Sequence, residues 1–420
     1  MTASLLVFLR GDKVGQLSVE RSRDFVFTYA AAWLASPTAM PLSLRLPLRE
    51  EPYPDEAARP FFANLLPESD LRRAIARRLG LSEQNDFALL EAIGGECAGA
   101  VSLLHEGVQP AGSGDYRDLS DNELNDLVEE LPKRPMLAGE AGIRLSLAGA
   151  QNKLPVLFDG RRVSVPLGDA ASSHILKPPI DRYPYTVENE YFCMRLAAQV
   201  RLVVPEVTIL HKRRSLYLVA RYDRMRAQDG AMERIHQEDF CQALGVAPDQ
   251  KYEKEGGPGL PQCFTLLRTH SVQPVVDVRA LLDWVIFNYL IGNADAHGKN
   301  ISLLLTQEGP QLAPFYDLMC TAIYPELTEK LAMKIGDEGR PDWIIERRWQ
   351  AFAEDVGIGY RLVRQRLAQL AESVPQATEE LVQEASFAEY PCDVYAQIIA
   401  VIRQRSDKVT RMLGLRKTSQ

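Results

Sequence analysis

The chain has 420 residues, 46% of them hydrophobic and 25% charged, with a formal net charge of −8 at neutral pH. That length supports two or three domains with a sizeable core, and that balance excludes disordered and collagen-like classes. The negative charge excludes a wholly basic nucleic-acid-binding surface, so any contact with a phosphate backbone must be local. Six cysteines (Cys97, Cys193, Cys241, Cys263, Cys320, Cys392) form no CxxC pair and lack histidines at ligand spacing. Neither a zinc knuckle nor a disulfide framework is expected from them. The N-terminal run MTASLLVFLRGDKVG is too briefly apolar for a signal peptide, and no stretch approaches the span of a bilayer. The expectation is a cytoplasmic protein without membrane contact.

In chain order, residues 4–29 read as a small sheet. SLLVFL and VGQLSV flank a turn at Arg10-Gly11-Asp12-Lys13, and DFVFTY makes a further strand. From Ser69, expected as a cap, Leu71, Ile75 and Leu79 repeat at helical spacing until Gly80. The other face of that helix holds Arg72, Arg73, Arg77 and Arg78, which suits either a solvated face or a docking surface for an acidic partner or nucleic acid. A second helix is expected over about 83–93, ending at Gly94-Gly95. The segment 106–140 is rich in Gly, Pro, Asp and Glu, with a short acidic helix near LSDNELNDLVEEL, and reads as a domain boundary.

Beyond it, LSLAGAQNKLPVLFDGRRVSVPL reads as a small-residue loop followed by a hairpin that turns at Asp159-Gly160. SSHILKP is a third strand ending on Lys177, VENEYFCMRLAAQV a helix, and VPEVTIL and SLYLVARYD two more strands. After Asp239 the pattern turns largely helical, interrupted at Gly256-Gly257-Pro258-Gly259. Residues 278–291 are apolar on nearly all sides and predict a buried helix; 361–372 and 395–413 predict amphipathic ones.

The order of these elements has chemical meaning. A small-residue loop, a lysine on a strand, a glutamate on the next helix, the polar run GNADAHGKN (292–300) and an aspartate in PFYDL are the parts that phosphoryl transfer from ATP requires. Lys177 would neutralise non-reacting phosphates and Glu190 would hold that lysine. Asp295 would orient the attacking hydroxyl, while Asn300 and Asp317 would hold Mg²⁺. Four residues separate Asp295 from Asn300, the D-x-x-x-x-N spacing of a kinase catalytic loop. Aspartate and asparagine are common in turns, so the weight comes from Lys177 upstream and Asp317 downstream. His297 has no second ligand at metal spacing and reads as a hydrogen-bonding group beside the nucleotide or a structural histidine. Lys299 is either a solvated charge or a contact to the transferring phosphate. Ser146 and Lys153 flank the small-residue loop, as ordinary loop polarity or as parts of a phosphate-covering loop whose serine could itself be phosphorylated.

The motifs SLAGAQNK (146–153), HILKPP (174–179), VENEYFC (187–193), QEDFCQALG (237–245), KYEKEGGPG (251–259), GNADAHGKN (292–300) and PFYDL (314–318) together resemble the HipA family of bacterial toxin kinases. PFFANLLPES (60–69) and IGGECAGAVSL (93–103) are similar to that family's N-terminal domain. The resemblance implies an α+β, protein-kinase-like, two-lobed fold. Its expected parts are an N-terminal β-rich subdomain with helices over 1–105, a boundary over 106–140, an N-lobe-like region over 141–225 and a mostly helical C-terminal lobe over 226–420. It implies a serine/threonine protein kinase that uses ATP and Mg²⁺, with Asp295 as catalytic base and Asn300 and Asp317 on the metal. Lys177 would contact ATP phosphate, with Lys153 and Lys299 as further ATP contacts. The Ala220-Arg221-Tyr222 backbone would form the hinge that meets adenine, and Asp223 and His297 would sit near the ribose. Ser146 would be the autophosphorylated loop serine whose modification silences the kinase.

The same resemblance implies a small HipB-like helix-turn-helix antitoxin as partner, binding operator DNA in a complex that represses its own operon. The implied substrate is an aminoacyl-tRNA synthetase, the glutamyl enzyme first, whose phosphorylation would starve translation and arrest growth. The chain departs from generic protein kinases: it has no His-Arg-Asp, Asp-Phe-Gly or Ala-Pro-Glu, and its loop is not G-x-G-x-x-G. Asn152 also stands where relatives often carry an acid, which bears on the role of Lys153. The alternatives are a small-molecule phosphotransferase, which has no need of the N-terminal domain, and an inactive co-repressor scaffold, which has no need of Lys177, Asp295, Asn300 and Asp317 together.

Overall fold

Apolar residues at alternate positions build the first sheet. In the computed structural model, which describes residues 3–110, 115–228, 231–390 and 392–415, β1 (Ala3–Leu9), β2 (Asp12–Val19), β3 (Phe25–Tyr29) and β4 (Val101–Leu104) pair in the order β3-β2-β1-β4. Phe25, Phe27 and Tyr29 all point to the buried face. Leu9 pairs with Asp12, so the turn is the two-residue loop Arg10-Gly11, both at positive φ as such hairpins require.

Helices α1 (Ala31–Leu34), α2 (Asp55–Ala63), α3 (Ser69–Leu79) and α4 (Asp86–Ile93) lie between β3 and β4 in the chain. Helix α3 buries Leu71, Ile75 and Ala76 and stops at Gly80, as its spacing predicts. Its start differs from expectation. Ser69 is not the cap: it sits at φ 50, Glu68 occupies the capping position, and no side chain caps the turn. The arginine face divides. Arg72 pairs with Asp86 and donates to Glu83 O at 2.7 Å, Arg73 pairs with Asp70, and Arg77 and Arg78 are exposed. Helix α4 begins later than expected because Asn85 caps it, accepting from Ala88 N at 3.1 Å.

By its internal contacts the chain divides into a first unit (1–180, 210–249 and 303–309) and a second (181–209, 250–302 and 310–420). The segment 106–140 is therefore not where these units part. Apart from 111–114, which lie outside the described residues, it folds within the first unit as β5 (Tyr116–Leu119) and α5 (Asp121–Glu130), the latter started by a Ser120/Glu123 capping box. Strand β5 pairs antiparallel with β7 (Val163–Pro166), the second strand of the expected hairpin with β6 (Leu154–Phe158). With β8 (His174–Lys177), β9 (Val207–His211) and β10 (Ser215–Ala220), they form a sheet of order β5-β7-β6-β8-β10-β9. The hairpin β11 (Arg224–Arg226) and β12 (Met232–Arg234) follows. Strand β13 (His236–Asp239) then leads into α7 (Phe240–Leu244) through an Asp239/Gln242 capping box.

The second unit is built on helices: α6 (Thr186–Gln199), α8 (Leu260–His270), α9 (Pro274–Ile291), α10 (Glu346–Asp355), α11 (Tyr360–Leu381), α12 (Ala385–Ala388) and α13 (Asp393–Met412). Helix α9 is buried along its last three turns and packs against α8, α11 and α13. Helix α11 runs longer than expected, because Ala377 and Leu381 continue its buried stripe past Pro375, whereas α13 lies within two residues of its expected span. Strands β14 (Ser302–Thr306) and β15 (Gly309–Leu312) complete the elements used below. All six cysteines are free thiols, and among the described residues no helix is long and apolar enough to cross a membrane.

Candidate active site

In the second unit the polar loop begins where α9 must stop. Gly292 ends the helix at φ 76, and a Cβ there would lie 2.8 Å from Val401 Cγ1 and 2.9 Å from Ala322 Cβ, so both conformation and space require glycine. The backbone on either side of Asp295 is then fastened. Asn293 donates from Nδ2 to Asn288 Oδ1 at 2.8 Å and accepts from Asp295 N at 3.0 Å. Ala294 N donates to Thr321 Oγ1 at 2.7 Å, and Thr321 in turn donates to Gly292 O at 3.1 Å. Ala294 O accepts from Ala332 N at 3.0 Å.

After the base position the loop folds back on itself. His297 N donates to Asp295 O at 2.9 Å, Asn300 N to His297 O at 2.9 Å, and Asn300 Nδ2 to Asp295 O at 3.1 Å. The Asn300 amide nitrogen is thereby engaged inside the loop, which leaves its carbonyl oxygen as the group able to meet a cation. Tyr316 Oη donates to Lys299 O at 2.6 Å and lies 2.8 Å from Ser302 Oγ, tying the PFYDL segment to the loop. Asp317 follows directly, at φ 57, a left-handed conformation that costs a non-glycine residue energy and is held by its surroundings. Helix α6 holds the next residues: Asn189 donates to Cys320 O at 2.9 Å and accepts from Cys320 N at 2.8 Å. Its neighbour Glu190 is buried on the same helix.

The second unit thus gathers Asp295, His297, Lys299 and Asn300 in one loop, with Asp317 tied alongside. His297, Lys299 and Asn300 are buried, whereas Asp295 is exposed. Its Oδ1 accepts from Tyr252 Oη at 2.7 Å. Sequence reasoning missed Tyr252, Tyr316, Thr321 and Asn189. Tyr252 and Asn189 lie inside runs quoted for other reasons, KYEKEGGPG and VENEYFC, where a polar residue among small or apolar neighbours is the available signal.

The remaining candidates belong to the first unit. Lys177 is buried at the end of β8, paired in register with Tyr217, its Nζ 5.6 Å from that ring's centroid. Lys153 donates to Ala148 O beneath the SLAGAQNK loop, whose Gly149 has φ 105. The loop is docked inward: Ser146 Oγ donates to Leu65 O at 2.8 Å, Ser146 N to Glu96 O at 2.9 Å, and Glu68 N to Gly149 O at 3.1 Å. Ser146 has no exposed surface.

The side chains of Arg221 and Asp223 lie in a buried charge network of the first unit. Arg221 N donates to Ser173 O at 2.9 Å and its carbonyl accepts from Arg224 N at 3.3 Å. Its guanidinium meets Asp223 Oδ1 at 2.9 Å, Glu96 Oε1 at 2.8 Å and Cys97 O at 3.0 Å. Asp223 Oδ2 also accepts from Gly99 N at 2.7 Å and pairs with Arg224 at 3.0 Å, so both its oxygens are engaged within the first unit. Burial alone would raise the Glu96 carboxyl, but Arg221, Arg224 and Arg234 outweigh it and pull the group down to about 2. The Asp223 carboxyl is held down by Arg221 and Arg224 against the same burial. Ala220 ends β10, and the Tyr222 hydroxyl donates to Gln237 Oε1 at 2.6 Å.

Comparison with known proteins identifies the family. Residues 5–104 match the HipA N-terminal domain and residues 145–378 the HipA-like C-terminal domain. The chain is 47% identical over 394 residues to Y4mE of Sinorhizobium fredii, covering 92% of this chain and 94% of that protein. It is 33% identical over 394 residues to the serine/threonine-protein kinase toxin HipA of Shewanella oneidensis, covering 91% of this chain and 90% of that one. Among solved structures it is similar to a chain in the complex of Shewanella oneidensis HipA, HipB and operator DNA, with TM-score 0.83, 31% identity and 98% of each chain covered. Together these define the class: a kinase, with an α+β, protein-kinase-like, two-lobed fold. The chain belongs to the HipA family.

Proposed function

We propose that the chain is an ATP- and Mg²⁺-dependent serine/threonine protein kinase and the toxin of a two-gene toxin–antitoxin module. The observation that carries this reading is the exposed Asp295 carboxylate on a loop fastened at both ends, with Asn300 bonded to Asp295 O and the loop tied through Tyr316 to the segment that carries Asp317. Asp295 is the base: it orients a seryl or threonyl hydroxyl and takes its proton as the oxygen attacks the γ-phosphorus, while the bond from that phosphorus to the β–γ bridging oxygen breaks and ADP leaves. An amide oxygen and a carboxylate are the hard, few-membered donor set that suits Mg²⁺, and Asn300 and Asp317 supply it. Mg²⁺, when bound, neutralises phosphate charge that would repel the attacking oxygen.

Lys177 and Lys153 are assigned to the nucleotide phosphates, Lys299 to the transferring phosphate as a fixed charge, and His297 to the nucleotide side of the loop. The Ala220-Arg221-Tyr222 backbone is assigned to the adenine hinge, with the Arg221 side chain as its framework, and Asp223 to the neighbourhood of the ribose. Glu190 is the structural partner for the phosphate lysine. Autophosphorylation falls on Ser146, which requires the docked loop to leave its three inward hydrogen bonds.

Similarity to a chain solved with HipB and operator DNA supports a HipB-like helix-turn-helix antitoxin as partner, and through it operator DNA. The family resemblance supports an aminoacyl-tRNA synthetase substrate, glutamyl first, phosphorylated in the cytoplasm to stop translation and bring growth arrest and persistence.

The test is transfer of label from ATP with Mg²⁺, alone and with cell extract, beside Asp295→Gln and Asp317→Asn. Each variant is expected to lose roughly 10²-fold or more in rate. Equal labelling by wild type and variants, or label confined to small molecules, would end the protein-kinase reading. Mass spectrometry should find phosphate on Ser146.

A further inference from the structure

Within the catalytic loop, Asn293 and Asn300 bond the backbone of Asp295 and not its carboxylate. The preceding Ala294 has no polar side chain, and both polar atoms of the Asn293 side chain are engaged, with Asp295 N and Asn288. The hold comes from 43 residues away, where Tyr252 Oη donates to Asp295 Oδ1 at 2.7 Å.

The segment carrying Tyr252 is built to keep that hydroxyl in place. A 3-10 turn at Glu253–Glu255 ends on Gly256 at φ 96, and Glu255 N and Gly257 N both donate to Tyr252 O at 2.9 Å. Gly257 approaches so closely that a Cβ would lie 2.1 Å from Gln250 O. Lys334 N donates to Glu253 Oε2 at 2.7 Å, and two residues earlier Ala332 N donates to Ala294 O at 3.0 Å, so the Tyr252 segment and the base share one anchoring strip of backbone. The Tyr252 ring meets His297 edge-on, centroids 5.1 Å apart, which fixes the phenol's direction.

We propose that Tyr252 is the positioning residue of the catalytic base: its hydroxyl pins Oδ1 of Asp295 so that Oδ2 faces the substrate hydroxyl. The inference rests on the kinase reading above. An exposed carboxylate on a loop samples several side-chain rotamers, and only those that place an oxygen within hydrogen-bond reach of the acceptor hydroxyl are productive. One hydrogen bond to a charged acceptor, delivered from a rigid aromatic ring, removes most of the others.

Tyr252→Phe keeps the ring against His297 and removes only the hydroxyl. Phosphoryl transfer is measured as kcat and as KM for ATP, beside wild type and Asp295→Gln, with thermal unfolding of each. The expected result is a fall in kcat of roughly tenfold or more, with KM for ATP and the unfolding midpoint unchanged. A Tyr252→Phe enzyme within about twofold of wild type in kcat, while Asp295→Gln is inactive, overturns the role of Tyr252 and leaves the kinase reading intact. A raised KM for ATP at unchanged kcat overturns it too, since that is a binding effect. Wild type that transfers no phosphate, or Asp295→Gln that matches wild type, removes the kinase reading and this inference with it.

Discussion

In the first unit Glu96 lies with no exposed surface among Arg221, Arg224 and Ser172, every oxygen engaged. In the second, Asp295 stands exposed with Tyr252 on one oxygen. Both are carboxylates in dense polar clusters, and in the sequence Asp295 and two members of the other cluster, Arg221 and Asp223, are candidate site residues. Hydrogen-bond saturation separates them. A buried carboxylate matched by two guanidiniums has no capacity left for a substrate and serves the framework, whereas one whose backbone is fastened and whose side chain is half engaged can act on a substrate hydroxyl.

The contrast breaks first at Glu96. Glu96→Gln leaves Arg221 and Arg224 facing Asp223 alone, one positive charge uncompensated in the interior, and is expected to cost about 3–5 kcal/mol of stability. Urea unfolding measures this. Asp295→Gln, at an exposed side chain, should stay within about 0.5 kcal/mol of wild type in the same experiment while losing activity. If the two variants unfold alike, saturation does not distinguish framework from chemistry here.

Glu238 in the first unit sharpens the comparison, because its charges are not matched. It is fully buried on β13 and accepts from Ser43 Oγ at 2.6 Å and Leu44 N at 2.9 Å, with no cation among these partners. Burial pushes its carboxyl up to about 7 from an ordinary value of 4.5, the two hydrogen bonds only partly opposing it. The folded state therefore holds the proton more tightly than the unfolded chain. The favourable contribution is full below pH 4.5 and is lost as pH rises from 4.5 through 7, on the order of 3 kcal/mol in all. Glu238→Gln stays neutral and keeps both partners, so its stability relative to wild type should rise over that window. A stability difference that stays flat from pH 4.5 to 8 would show that Glu238 is ionised in the fold.

These cases also mark what was legible in the sequence. The Asp295–Asn300 spacing, Lys177 at the end of a strand, the hairpin at Asp159-Gly160 and the stop at Gly80 are local patterns, and the chain forms them locally. Glu96 was not legible, because RYDR shows only three charges, Arg221, Asp223 and Arg224, of a network whose member Glu96 is more than a hundred residues away. The 106–140 segment lies between the two family-domain matches, 5–104 and 145–378, but its composition does not show that Tyr116 to Leu119 pair with the distant β7. Ser69 misled because a good capping residue is only a preference, and Glu68 N is drawn to Gly149 O across the fold.

The smallest expected effect lies on the arginine face of α3, where the sequence left a solvated face and a docking surface both open. Arg72 is only partly exposed and ties α3 to α4 through Asp86, which Arg59 also holds. Losing it leaves Asp86 paired, so Arg72→Ala should cost about 1 kcal/mol or less, reduced further in high salt. Arg73, exposed like its partner Asp70, should give nothing measurable on substitution. Arg77→Ala and Arg78→Ala should leave stability unchanged, because both side chains are exposed. Urea midpoints for the four variants at low and high salt would rank them, and a loss at Arg77 or Arg78 matching that at Arg72 would mean this face is part of the fold.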